Sequence, residues 1–132
     1  MDIKGEKIQI PQKAELSYEF LSRPQNYEEL MPENVTKFEL NDEGGFVFQL
    51  KGMPAIALKL EEKAPYEKVV WSSANDNFKF KLWAEITDIA DKQSEVQLLF
   101  HGDLNPMITM MAKKPLGKLI ETLSTNLKKN PF

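Results

Sequence analysis

"NPMITMMAKKPLGKLIETLSTNL", residues 105–127, is the stretch whose reading decides the fold. Asn105 suits an N-cap, and Pro106 suits the first helical position. Leu116, Leu119, Ile120, Leu123 and Leu127 recur at helical spacing and form one apolar stripe. Lys128 and Lys129 suit the negative end of the helix dipole. The first turns carry Met107, Met110 and Met111, and Pro115 falls where the helix should be unbroken. Proline inside a helix removes a hydrogen bond and bends the chain, at a cost of about 3 kcal/mol. Two readings stand here. Pro115 angles the first turns away from whatever the stripe packs on, and the flexible methionines line the space left. Alternatively, the methionines fill a core and Lys113-Lys114-Pro115 ends a separate short helix.

Upstream, the hydrophobic period is two. Phe78, Phe80, Leu82, Ala84 and Ile86 share one face of a strand over 78–88, with Lys79, Lys81, Trp83, Glu85 and Thr87 opposite. One apolar and one wet face is the pattern of an antiparallel sheet covered on one side. The same alternation predicts strands over 35–40, 46–51, 56–62, 68–73 and 94–101. Turns fall at Asn41-Asp42-Glu43-Gly44 with Gly45 behind, at Gly52-Met53-Pro54, at Ala64-Pro65, at Asn75-Asp76-Asn77 and at Ala90-Asp91-Lys92. Ile8 and Ile10 alternate with Lys7 and Gln9 in a first strand over 3–10. A helix over 12–22 follows, with Leu16, Phe20 and Leu21 on its apolar face and Pro24 ending it. A second short helix over 26–31 stops at Pro32. The order is α+β: a curved seven-stranded antiparallel sheet, two short helices after strand 1, and a long C-terminal helix packed across the sheet. A sheet with one apolar face needs a cover, and the last helix is the only element large enough.

Three features carry a resemblance to a known group: the strand–helix–helix opening, "FLSRPQNYEELMPENV" at 20–35, and the "DLNPMITMMAKKPLGKLIETLSTNL" ending. The chain resembles the START-like, or SRPBCC, superfamily of the helix-grip fold, in its polyketide cyclase-like bacterial branch. Leu21, Pro24, Tyr27 and Pro32 fit a pattern common in bacterial members. Where many members have tryptophan before the last proline, this chain has Met31. The resemblance implies a sheet gripping the last helix, with an apolar cavity between them. It spans nearly all of residues 1–132, read as a single domain.

At 132 residues the chain can bury a sizeable core without staples. The net charge of −3, with signs mixed along the chain, argues against nucleic acid as a partner. There is no cysteine, which removes disulfides, thiol nucleophiles and cysteine metal sites. No segment reaches membrane-span length, and MDIKGEKIQI lacks a signal-peptide core, so the expectation is a bacterial cytoplasmic protein without membrane insertion.

Catalytic chemistry finds few candidates. His101 is the only histidine, which makes zinc improbable, and no metal or cofactor is expected. Asp103 lies two residues from His101, but no serine sits in a glycine elbow, and His101 is expected outward. Gly44-Gly45 is a hairpin turn, not a phosphate loop. Glu62 would act as an acid or base only if its strand carried it into the cavity.

The leading expectation is therefore a protein that binds or carries a small hydrophobic molecule, lipid included. Its expected ligand contacts are Phe38, Phe46, Phe48, Leu58, Phe78, Phe80, Leu82, Leu98, Phe100, Met107, Met111 and Leu119. A polyketide cyclase or dehydratase-like enzyme is the alternative, and would need a titratable group in the cavity. A third reading is an interaction module with a filled core, as in START-like activators of heat-shock chaperones. In that reading Trp71 and Trp83 lie on the outer sheet face and pair into a homodimer patch.

Overall fold

In the computed structural model, which describes residues 1–73 and 79–129, the strongest alternation in the chain becomes the middle of the sheet. Strand β7 (Lys79–Ala90) pairs along its length with β8 (Gln93–Asp103). Phe80, Leu82, Ala84 and Ile86 are buried on one face, and Lys81, Glu85 and Thr87 are exposed on the other. The turn between them places Lys92 at φ 58°. Before them come β3 (Val35–Leu40), β4 (Phe46–Leu50), β5 (Ile56–Ala64) and β6 (Lys68–Ser73). These join into one antiparallel run, β8-β7-β6-β5-β4-β3. The expected turn at 75–77 and Phe78 lie outside the described residues.

The first strand is two segments, not one, so the described residues hold eight strands where the sequence pattern suggests seven. Both β1 (Asp2–Lys4) and β2 (Ile8–Ile10) pair with β8. Lys4 faces Leu99 and Ile8 faces Val96, so residues 5–7 span the place of 97 and 98. One extra residue bulges the strand. Gly5 sits there because the backbones nearly touch: a Cβ on it would lie 2.7 Å from the Leu98 carbonyl oxygen.

Helix α1 (Ala14–Leu21) packs against β6, β7 and β8. Its buried face is Ala14, Ser17, Tyr18 and Leu21, whereas Leu16 is exposed. The apolar face expected from Leu16 and Phe20 is therefore rotated, because a buried hydroxyl pair fixes the helix: Ser17 Oγ and Ser94 Oγ lie 2.8 Å apart. Asp88 of β7 caps the first turn, accepting from the Ala14 N–H at 2.7 Å. The second short helix is a 3-10 helix, Pro24–Leu30.

Helix α2 (Pro106–Lys129) runs unbroken through Pro115, so no separate short helix ends there. Asn105 caps it, its Oδ1 accepting from the Ile108 N–H at 2.9 Å. The buried stripe is Ala112, Leu116, Leu119, Ile120, Leu123, Ser124 and Leu127. It packs against β1, β2, β8 and the 3-10 helix. No helix of the described residues is long and apolar enough to cross a membrane.

Candidate functional site

Two zones lie between the sheet and its helical cover, and their contents differ. The first is filled. Trp71 of β6 is fully buried, its indole N–H donating to the Tyr27 hydroxyl at 3.0 Å. Tyr27 in turn donates to the Leu21 carbonyl at 2.8 Å. The Tyr27 ring stacks on Phe46 at 5.0 Å, and Trp71 meets both edge-on at 5.5 and 5.4 Å. Phe38 stacks on Phe46 from the edge strand at 5.3 Å. Every polar atom of this cluster is hydrogen-bonded, as burial demands.

Trp71 thus corrects the expectation that it faces outward. Val69 and Trp71 alternate with Val70, so both faces of β6 are apolar and period alone cannot choose between them. Register chooses: Trp71 lies opposite Leu82, which is inward, while Trp83 lies opposite Val70 and Leu99 on the outer face. The two tryptophans are on opposite sides of the sheet, so they form no paired outer patch. Trp83 instead lies over Val70 and Leu99, which are buried although they face outward.

Burial raises the Tyr27 hydroxyl above the ordinary tyrosine value near 10. The unfolded chain would release that proton from about pH 10, and the folded chain would hold it. Stability should therefore be fully present below about pH 10 and fall as pH rises above it. Tyr27→Phe should remove this component of the alkaline loss, read as urea midpoints at about pH 8 and 11. Equal alkaline losses in the two proteins would refute the buried hydroxyl.

The second zone is a cleft of about 50 Å³ at the other end of the sheet. Ile108, Ala112 and Leu116 form its helical wall, with Leu104 just before the helix. Phe80 and Phe100 form its floor, stacked at 5.7 Å. Met53, Pro54 and Ala55 close it from the β4–β5 turn, with Ile56 and Ala57 entering β5. No lining residue carries a titratable side chain. A larger groove of about 810 Å³ beside the α1 start is wet and charged, with Glu67, Lys68, Glu85 and Asp88 among its walls.

Of the expected contacts, the structure brings only Phe80 and Phe100 to the cleft. Phe46, Phe48, Leu58, Leu82, Leu98 and Leu119 are buried in the core, and Phe38 is partly buried. Phe78 lies outside the described residues. Met107 and Met111 are 73% and 60% exposed and line no part of the cleft. The reason is helical phase: each residue advances about 100°, and extending the 112–116–119–123 stripe backwards reaches Ile108, not its neighbours. That signal was legible. Nothing in the sequence marks Met53 or Ala55, which reach the cleft through tertiary folding alone.

His101 points to the outer face, as expected. Its Nδ1 lies 2.6 Å from Asp2 Oδ1, and its Nε2 lies 3.4 Å from Asp103 Oδ1. The hydrogen bond to His101 holds the Asp2 carboxyl below its ordinary value. Glu62 has no described side chain. No group of three or more metal-ligating side chains occurs among the described residues.

Comparison with solved structures decides the fold. A START superfamily protein from Mycobacterium smegmatis superposes at TM-score 0.66 with 14% identity, over 98% of this chain and 96% of that one. The fold is the START-like helix-grip fold. Protein TTHA0849 of Thermus thermophilus shows the same helix-grip arrangement at TM-score 0.74 and 14% identity, over 98% of this chain and 95% of that one. Norcoclaurine synthase from Thalictrum flavum, in complex with dopamine and hydroxybenzaldehyde, superposes at TM-score 0.67 and 10% identity, over 98% and 87%. No family model and no curated protein matches the sequence.

Proposed function

We propose that this START-like chain binds a small apolar molecule in the cleft between α2 and the Phe80–Phe100 floor. The observation that carries this reading is the lining: eleven residues, all apolar, at a cleft left unfilled beside a tightly filled aromatic core. A site of this kind holds a ligand by shape and dispersion. It offers no acid or base, so the cyclase-like reading has no residue to work with there. The free volume of about 50 Å³ holds a few waters or a short hydrocarbon segment. A larger ligand enters by displacing the Met53-Pro54-Ala55 turn, whose backbone pivots at Gly52 with φ 82°.

The Trp71–Tyr27–Phe46 filling favours a second reading, an interaction module whose core needs no ligand. One titration separates the two. With N-phenyl-1-naphthylamine as a neutral apolar probe, fluorescence should rise saturably. Ala112→Leu, which fills the cleft, should weaken binding at least tenfold, and so should Ile108→Glu, which charges its wall. Affinity should stay flat from about pH 6 to 9, because no lining group titrates. Binding unchanged in both folded variants would remove the cleft reading and leave the interaction module.

A further inference from the structure

The outward side of the cleft's helical wall is apolar too. Met107, Met110 and Met111 are 73%, 83% and 60% exposed on the first turns of α2. Three neighbouring methionines in water are unusual for a surface helix, and adjacent exposed apolar residues mark a contact surface. The chemistry around them is one-signed. From Leu104 to Ile120 the sequence holds Lys113, Lys114 and Lys118 and no carboxylate. The facing β4–β5 segment from Leu50 to Leu60 holds Lys51 and Lys59 and no carboxylate. Asp103, next before this stretch, is turned to the outer sheet face beside His101. So a chain of net charge −3 presents one end that is apolar at its tip and basic behind it.

We propose that this end docks on an anionic lipid surface. The methionines enter the boundary between headgroups and acyl chains. Lys113, Lys114 and Lys118 stay behind at phosphate level, their stems covering apolar surface while the ammonium heads reach the charge. Methionine suits a disordered hydrocarbon boundary because it is flexible and polarizable. The lysines, with no carboxylate beside them, select an anionic over a neutral membrane. Docked this way, the α2 wall of the cleft lies at the bilayer. The docking stands on the exposed face alone, while delivery of an apolar ligand rests on the reading above. Vesicle binding and probe uptake are separate readouts, so either can fail without the other.

The test is co-sedimentation with vesicles of phosphatidylcholine, with and without about one-third phosphatidylglycerol, at low and at physiological salt. The wild-type protein should partition to the anionic vesicles at least tenfold better than to neutral ones, and less at higher salt. The triple change Met107→Ser, Met110→Ser, Met111→Ser should cut partition at least tenfold with melting unchanged, since these side chains are exposed. Lys113→Glu with Lys114→Glu should remove the anionic preference. Equal partition to both vesicle types, or full binding by the methionine variant, would overturn the proposal. So would a concentration-dependent dimer in wild type that the methionine variant abolishes, because the face would then belong to a second copy.

Discussion

Trp71→Ala should destabilise the fold by about 3–5 kcal/mol, read from urea unfolding. The whole stability of a domain this size is of the order of 5–15 kcal/mol, so the variant should be near the edge of folding. Two terms add. The indole is fully buried against Tyr27 and Phe46, and its removal leaves a cavity that strands β5 and β7 cannot both close on. The Tyr27 hydroxyl also loses its donor, although it keeps the Leu21 carbonyl. Trp71→Phe restores most of the volume and should cost less, about 1–2 kcal/mol. Trp83→Ala is the matched control on the outer face. Trp83 is partly exposed, and its Nε1 reaches only Glu85 at 3.5 Å, so its loss should cost clearly less than that of Trp71. A reversed order would mean that β6 is inserted with the opposite face inward.

Gly45→Ala should cost about 3 kcal/mol, at or above the usual range for overpacking. A Cβ at this position would collide with the backbone of Leu58: 2.7 Å from the carbonyl carbon and nearer still to the oxygen. That oxygen is already held by the Asn41 side-chain N–H at 2.9 Å, and Phe46, next in the chain, pairs directly with Leu58. Asn41 ties the turn from the other side, its Oδ1 accepting from Glu43 N–H and Gly45 N–H. No flexible side chain is present to yield, so β4 and β5 would have to separate. Gly44 provides the contrast. Its φ is +75° and a Cβ there meets open space, so Gly44→Asn should cost well under 1 kcal/mol. Thermal melts of the two variants decide the matter. Comparable losses would mean that conformation, not contact, accounts for the paired glycines.

The sequence read differently at these places for physical reasons. Strand β7 was legible because one face is apolar and the other charged, so its alternation also named its inward side. The hairpin at Asn41–Gly45 was legible because turn chemistry is local. The long helix, its Asn105 cap and its buried stripe were legible because a 3.6-residue period declares itself over many turns. Strand β6 was not: Val69, Val70 and Trp71 are apolar on both faces, and only pairing with Leu82 turns Trp71 inward. The break in the first strand was hidden too, since a one-residue bulge changes register without changing composition.

By itself, the sequence determined the order of elements, the antiparallel sheet and the α2 stripe that covers it, because each follows from local periodicity and turn residues. The START-like resemblance followed from that order together with the residues at 20–35 and 103–127. Tertiary structure alone decided where the space is. Expecting a cavity walled by the inward phenylalanines treats them as one surface, yet Trp71 and Tyr27 join Phe46 and fill one end of it. What remains lies where small side chains meet, Ala112 on α2 and Ala55 and Ala57 at the start of β5. These segments lie far apart along the chain, so no local pattern brings them together. Packing, not pattern, settled which apolar residues are core and which line a cleft.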